Sequence, residues 1–210
     1  APNGVADYTV MLMLLSLRKY KPALWRAQVN DYSLAGLQGR ELRNLTVGIL
    51  GTGKIGAAVI KNLSGFGCRI LASDIRENPS LKGLCTYVDN ETLYKECDII
   101  SLHMPLLDST RHFVNAETIA KMKDGVTIIN CARGELMNIP DMIRGIETQK
   151  IGALALDVFD KEDGIYHENR RDDIISNRDM AYLRQFPNVI MTQHMAFYTD
   201  AAVQSMVFCG

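Results

Sequence analysis

The chain has 210 residues, of which 47% are hydrophobic and 22% are charged, and its formal net charge is −1. This composition is ordinary for a globular protein, and the length allows one large α/β domain. No block of basic residues indicates a nucleic-acid partner. The apolar run at residues 10–15 is far shorter than the about 20 residues that cross a membrane. We therefore expect neither a nucleic-acid nor a membrane partner.

The cysteines also limit the class of protein. There are five of them, scattered along the chain and without a C-x-x-C pair. An odd number without ligand spacing argues against a disulfide framework and against zinc ligation. We therefore expect reduced thiols, a cytoplasmic location and no metal site.

The first 44 residues predict two helices ahead of the first strand. An apolar segment favours a helix at residues 5–17, with Asn3 or Gly4 as its cap. A second, short helix is expected at residues 22–32, around Trp25. We expect these lead-in helices to lie at a domain or dimer interface.

From residue 46 onward, short apolar strands alternate with helices. Apolar strands of this kind suit a parallel sheet that is covered on both faces. The alternation predicts an α/β fold with a doubly wound parallel sheet, interrupted by a long charged loop at residues 161–178. Strands are expected at residues 47–50, 68–72, 99–103, 126–130, 153–157 and 189–192, and helices at 55–63, 91–96, 116–122, 140–146, 180–184 and 201–207.

The most informative segment is a glycine-rich turn between the first strand and the helix that follows. Gly51, Gly53 and Gly56 form a G-x-G-x-x-G pattern, in which they permit a tight turn, close approach of a pyrophosphate and close helix packing, respectively. The helix N-terminus offers unpaired N–H groups to the phosphates. Asp74 ends the next strand, where a carboxylate accepts hydrogen bonds from the adenosine ribose and repels a 2′-phosphate. The pattern predicts a Rossmann-like fold that binds NAD rather than NADP.

Several polar side chains follow the carboxyl ends of the strands, which is the edge where a doubly wound sheet binds its ligands. We therefore expect an arginine, two carboxylates and a histidine to lie beside the dinucleotide. In chain order, the residues at these strand ends are His103, Met104, Pro105, Cys131, Ala132, Arg133, Gly134, Asp157, Glu162, Gln193 and His194.

Three of these residues suit the reduction of a 2-oxo acid by a nicotinamide cofactor. Arg133 carries a fork of donors that can hold the substrate's carboxylate and ketone together. His194 can supply the proton that the ketone oxygen needs. Glu162 can fix the tautomer of His194 and stabilise its protonated form.

Each of the three also has a structural interpretation. The arginine could be a surface ion-pair partner, the histidine a core or capping residue, and the glutamate a solvated side chain of the charged loop. The remaining histidines fit structural positions better, since His103 and His112 are expected to pack or cap and His167 to be exposed.

Six motifs occur in order along the chain: Gly51-Thr-Gly-Lys-Ile-Gly56, Ser101-Leu-His-Met-Pro105, Asn130-Cys-Ala-Arg-Gly134, Ala155-Leu-Asp-Val-Phe159, Thr192-Gln-His194 and His194-Met-Ala-Phe-Tyr-Thr199. Together they resemble the NAD-dependent D-2-hydroxyacid dehydrogenases over nearly the whole chain. Within that family, the segment that begins at His194 is most similar to the D-lactate dehydrogenases, including those of vancomycin-resistance operons.

The resemblance implies a function and a role for each matching residue. The implied reaction interconverts a 2-oxo acid and a D-2-hydroxy acid, such as pyruvate and D-lactate, with NAD as cofactor in a homodimer. Arg133 would bind the substrate carboxylate and carbonyl, and His194 with Glu162 would be the acid/base pair. Tyr198 would shape the substrate end. Among the implied cofactor contacts, Lys54 and Ile55 would bind the pyrophosphate through backbone N–H groups, and Asp157 would lie near the nicotinamide ribose. The full set of implied contacts is Gly51, Gly53, Lys54, Ile55, Gly56, Asp74, Met104, Pro105, Thr110, Cys131, Ala132 and Asp157.

The sequence departs from the family pattern in three loops. Gln193 replaces a common proline, Met137-Asn138 replaces a Val-Asp pair, and Asp163 replaces the proline after the glutamate. Family members also carry a substrate domain that is largely absent from residues 1–210. We therefore interpret these residues as an NAD-binding domain and expect them to bind NADH but to reduce 2-oxo acids poorly.

Two other functions fit the same motifs. Corepressors of the C-terminal-binding-protein type share this fold and the Arg/Glu/His set but act as NADH-sensing scaffolds. Formate and phosphite dehydrogenases share the scaffold and oxidise small anions. Substrate profiling distinguishes all three.

Overall fold

Seven parallel strands form one sheet at the centre of the computed structural model, which describes residues 2–209. The strands are β1 (Thr46–Leu50), β2 (Arg69–Ser73), β3 (Thr86–Tyr87), β4 (Ile99–Leu102), β5 (Val126–Asn130), β6 (Ile151–Leu156) and β7 (Val189–Met191). Their order across the sheet is β3-β2-β1-β4-β5-β6-β7. The strand order reverses between β1 and β4, and this crevice is the usual ligand site of a doubly wound sheet.

Helices cover both faces of the sheet. They are α1 (Pro2–Leu17), α2 (Tyr20–Gln28), α3 (Lys54–Leu63), α4 (Asn90–Glu96), α5 (Ala116–Lys121), α6 (Ile139–Glu147), α7 (Arg178–Arg184) and α8 (Asp200–Phe208). One apolar cluster joins the sheet to α1 and α3, and the other joins it to α4, α5, α6 and α7. Side chains on both faces of the strands are therefore buried, which explains their continuous apolar sequences.

The predicted elements after residue 46 are all present, with ends that differ by at most two residues. Strand β5 has the predicted bounds, whereas the short edge strand β3 was not predicted. Its two residues, Thr86 and Tyr87, are too few for an alternation pattern, and only pairing with β2 defines them as a strand.

Two predictions in the lead-in segment were wrong in detail. Helix α1 begins at Pro2, so Asn3 and Gly4 lie inside it and do not cap it. Helix α2 spans Tyr20–Gln28 rather than residues 22–32, because Lys19 before it and Asn30 after it adopt left-handed backbone conformations, with φ of 52° and 62°.

Two global features complete the fold. All five cysteines are free. Among residues 2–209, no helix combines the length and the apolar character that crossing a membrane requires.

Candidate active site

The glycine turn connects β1 to α3 and forms one end of the candidate site. Gly51 has φ of +96°, and a Cβ there would lie 2.7 Å from the backbone carbonyl of His103. A Cβ on Gly56 would lie 2.0 Å from the Gly51 oxygen. A Cβ on Gly53 would meet no atom within 4 Å. Gly51 and Gly56 are therefore needed for packing, whereas Gly53 leaves open space at the N-terminus of α3.

Asp74 lies beside this turn, just after β2. Its Oδ2 accepts hydrogen bonds from the backbone N–H of Thr52 at 2.6 Å and from the Thr52 hydroxyl at 3.2 Å. Its Oδ1 accepts a longer bond, of 3.3 Å, from the N–H of Arg76. Burial raises the pKa of Asp74, but the bonds from Thr52 and Arg76 outweigh burial and lower the pKa below its usual value. The side chain is therefore an exposed carboxylate with one oxygen held by the turn.

A groove of about 670 Å³ runs along the carboxyl ends of the central strands. It begins at the N-terminus of α3 and ends at the loop that carries His194. The predicted site residues that line it are Gly53, Lys54, Ile55, Met104, Pro105, Cys131, Ala132, Arg133, Asp157 and His194. Other lining residues are Val5, His103, Leu106, Ala196 and Phe197. The groove therefore joins the glycine turn to two of the predicted catalytic residues, Arg133 and His194.

Arg133 stands at the turn after β5, and the turn is built by its neighbours. Its guanidinium is exposed, and Nη1 donates to the Ala132 carbonyl at 2.8 Å. Asn130 is fully buried and bridges the turn, since its Nδ2 donates to the Arg133 carbonyl at 2.9 Å and its Oδ1 accepts from the Ala132 N–H at 2.9 Å. A Cβ on Gly134 would lie 2.2 Å from the backbone of Phe159. The turn thus holds an arginine fork at the edge of the groove.

His194 and Glu162 form the predicted pair. The imidazole Nδ1 contacts Glu162 Oε1, and Glu162 Oε2 accepts from the backbone N–H of Phe159 at 2.9 Å. The two side chains are 31% and 21% exposed, so the pair is partly shielded from water. Because a carboxylate oxygen can only accept a hydrogen bond, Nδ1 carries the proton in this contact. The other ring nitrogen, Nε2, is then available to a ligand in the groove.

Asp157 supports the loop that carries His194. It is fully buried. Its Oδ1 accepts from the Thr192 hydroxyl at 2.6 Å and from the N–H of Met195 at 2.9 Å, and its Oδ2 accepts from the N–H of Ala196 at 2.8 Å. The carboxylate therefore connects β6 to the histidine loop, and it also lines the groove. Its contact with the nicotinamide ribose stays a prediction.

Six predicted residues lie outside the groove lining: Gly51, Gly56 and Asp74 at or beside the glycine turn, Glu162 next to His194, and Thr110 and Tyr198. Thr110 caps its own loop, since its hydroxyl donates to the Pro105 carbonyl and accepts from the Leu107 N–H, both at 2.7 Å. Tyr198 is 65% exposed, and its ring packs against Phe197.

The structure adds Phe197 to the site, which sequence reasoning missed. Its ring lines the groove and lies edge-on to the His194 imidazole, with centroids 6.1 Å apart. The aromatic residue inside the segment after the histidine was the available signal.

The other histidines differ in their surroundings. His103 packs beside the glycine turn, and its Nε2 pairs with the Ser101 hydroxyl at 2.8 Å. Burial lowers the pKa of His103 to about 4, so the ring is neutral near pH 7. His167 is exposed, as predicted, and its Nε2 donates to the His194 carbonyl at 2.9 Å.

The family model "D-isomer specific 2-hydroxyacid dehydrogenase, NAD binding domain" matches residues 10–196. The chain belongs to this family. The predicted family, the doubly wound fold and NAD as the cofactor are thereby confirmed.

Relatives of known structure or name agree with this assignment. An aromatic 2-oxoacid reductase of Clostridium sporogenes is 47% identical over 99% of this chain and 63% of its own length. A D-lactate dehydrogenase of Lactobacillus delbrueckii subsp. bulgaricus is 39% identical over 99% of this chain and 62% of its own. The solved structure of Lactobacillus jensenii D-lactate dehydrogenase with NAD+ superposes with a TM-score of 0.91, at 33% identity, and covers 99% of this chain and 63% of that one. The chain therefore spans less than two thirds of the length of the relatives it matches.

Proposed function

We propose that the protein carrying this chain is an NAD-dependent oxidoreductase that interconverts a 2-oxo acid and a D-2-hydroxy acid. One observation carries the proposal: Arg133 and the Glu162-bonded His194 belong to the same groove as the glycine turn. A cation for a carboxylate, an acid/base group and a dinucleotide turn together are what this reaction requires.

The nucleotide end of the groove fits NAD. The open space over Gly53 admits a pyrophosphate to the N-terminus of α3, where Lys54 and Ile55 would offer backbone N–H groups. Asp74 would hold the adenosine ribose and disfavour a 2′-phosphate by charge repulsion. Met104, Pro105, Cys131 and Ala132 would form the walls. Burial raises the pKa of Cys131 to about 12, so its thiol stays neutral beside the cofactor.

Bound NADH supplies the hydride for the ketone carbon. Arg133 holds the substrate carboxylate through paired hydrogen bonds and so orients the ketone. His194, protonated, donates the proton from Nε2 to the ketone oxygen as the carbon is reduced. Glu162 stabilises the imidazolium and fixes its orientation. In the reverse direction, neutral His194 accepts the hydroxyl proton. Each turnover therefore moves one hydride and one proton.

Arg133, as a carboxylate-binding residue, supports a 2-oxo acid as the class of substrate. It does not indicate which side chain that substrate carries. The named relatives include both an aromatic 2-oxoacid reductase and D-lactate dehydrogenases. Phe197 gives the histidine end of the groove an aromatic wall. We propose pyruvate and an aromatic 2-oxo acid such as phenylpyruvate as the first substrates to compare.

We also propose that the protein is a cytoplasmic homodimer. Helix α2 and the loop after it expose large apolar side chains, among them Trp25, Tyr32 and Leu34 at 66%, 73% and 82% exposure. Several large apolar side chains exposed within one short segment are typical of association surfaces. The free cysteines suit a reducing compartment.

A substrate panel with the full-length protein tests the reaction. Oxidation of NADH is followed with pyruvate, phenylpyruvate and other 2-oxo acids, and reduction of NAD+ with formate and phosphite. The proposal expects turnover of 2-oxo acids that is lost in His194→Asn while NADH binding persists. NADH binding with no turnover of any 2-oxo acid would favour an NADH-sensing scaffold, and turnover of formate or phosphite alone would favour the anion-oxidising class.

A further inference from the structure

A line of hydrogen bonds runs from the unpredicted edge strand β3 to Asp74. The backbone N–H of Asn78 donates to the Tyr87 hydroxyl at 2.8 Å. The Tyr87 hydroxyl donates to Thr52 Oγ1 at 2.8 Å, and Thr52 Oγ1 lies 3.2 Å from Asp74 Oδ2. Tyr87 therefore connects β3 with the glycine turn and, through the turn, with the carboxylate.

The two ends of this line fix its direction. A backbone N–H only donates, and an ionised carboxylate only accepts. The Tyr87 hydroxyl, having accepted from Asn78, donates to Thr52, and the Thr52 hydroxyl in turn donates to Asp74. Every hydroxyl in the line uses its single proton, so the arrangement has one consistent orientation.

The two carboxylate oxygens of Asp74 therefore differ in their hydrogen bonds. Thr52 binds Oδ2 twice, through its N–H and its hydroxyl. Oδ1 accepts a long bond from Arg76, of 3.3 Å, and the residue is exposed. Thr52 itself is 4% exposed and is held from behind by Tyr87, so it cannot turn toward solvent.

We propose that Tyr87 is a positioning residue for the cofactor, acting through Thr52 to hold Asp74 with Oδ1 facing the adenosine ribose hydroxyls. The proposal rests on the proposed ribose contact of Asp74 and extends it to two residues, Thr52 and Tyr87, that are not among the predicted cofactor contacts. It makes discrimination at the ribose 2′ position depend on a tyrosine hydroxyl of the edge strand.

The test is the affinity of the full-length protein for NADH and for its analogue lacking the adenosine 2′-hydroxyl, measured by quenching of protein fluorescence. Tyr87→Phe removes only the hydroxyl. We expect it to weaken NADH binding about fivefold, the size of one lost hydrogen bond, and to change binding of the deoxy analogue much less. Equal weakening for both ligands would indicate a merely structural role and would overturn the proposal.

Three further variants make the result independent of Tyr87→Phe folding normally. Thr52→Val removes the relaying hydroxyl and should reproduce the selective loss, whereas Thr52→Ser keeps the hydroxyl and should retain NADH affinity. Tyr182→Phe is the matched control, because the Tyr182 hydroxyl bonds Glu147 at 2.9 Å on the outer helices. Equal affinities of Thr52→Val and Thr52→Ser for NADH would contradict the relay. If the unaltered protein binds neither ligand, the proposed function fails together with the relay, whereas normal NADH binding with unselective variants overturns the relay alone.

Discussion

Replacing Asp157 by Asn tests how the histidine loop is held. Oδ1 of Asp157 faces the N–H of Met195, and Oδ2 faces the N–H of Ala196. Whichever way an asparagine amide is turned, its NH2 group points at one of these backbone donors. One charge-assisted hydrogen bond is lost and two donors face each other at a fully buried side chain, which costs about 2–3 kcal/mol. In a chain of this length, such a loss lowers the unfolding midpoint by roughly 4–10 °C.

Thermal unfolding followed by circular dichroism measures this loss, and the rate at which the full-length protein oxidises NADH with a 2-oxo acid measures the displacement of His194. Asp163→Asn is the matched control, since Asp163 is an exposed carboxylate of the neighbouring charged loop. It should stay within about 0.5 kcal/mol of the parent protein. Equal unfolding midpoints for Asp157→Asn and Asp163→Asn would refute the claim that Asp157 holds this loop.

Three more outcomes are expected. Arg133→Lys should lower kcat/KM for 2-oxo acids about 10- to 100-fold with unchanged NADH affinity, because an ammonium lacks the paired donors; a matching loss of NADH affinity would speak against a substrate role. Because the folded pKa of His103 is about 4 and its ordinary value 6.5, the unfolded state binds a proton first as the pH falls. Urea unfolding should therefore show stability falling between about pH 6.5 and pH 4, by about 2 kcal/mol at pH 5, and His103→Gln should remove that component. Gly51→Ala should abolish NADH binding and lower the free energy of unfolding in urea by at least about 2 kcal/mol. Gly83 also has a positive φ, of +83°, but open space around it, so Gly83→Ala should lower that free energy by about 1 kcal/mol. Equal losses for the two variants would contradict the packing argument.

Much of the fold could be predicted because its signals are local. The continuous apolar strands and the glycine turn each occupy a few consecutive residues, so they can be recognised without knowledge of the tertiary structure. Strand β3 was missed since two residues carry no periodic pattern, and the pairing of Leu71 with Thr86 is set by tertiary structure.

The candidate site also contains residues that the sequence could place and residues that it could not. Strand ends point to one sheet edge, so Arg133 and His194 could be placed in one groove from sequence order. The hydrogen bonds that the Asp157 carboxylate accepts and the one that the Tyr87 hydroxyl donates could not, because each joins segments that are more than 30 residues apart in the chain and meet only in the folded structure. Sequence reasoning thus finds the groups that bear chemistry more readily than the groups that position them.

Transfer of the label from deuterated NADH tests the central claim most directly. The full-length protein is given a 2-oxo acid and NADH labelled at the transferable position of the nicotinamide ring. The account predicts a 2-hydroxy acid of D configuration that carries deuterium at its second carbon, and no such product from His194→Asn. A product without deuterium at that carbon, or one of L configuration, would contradict it.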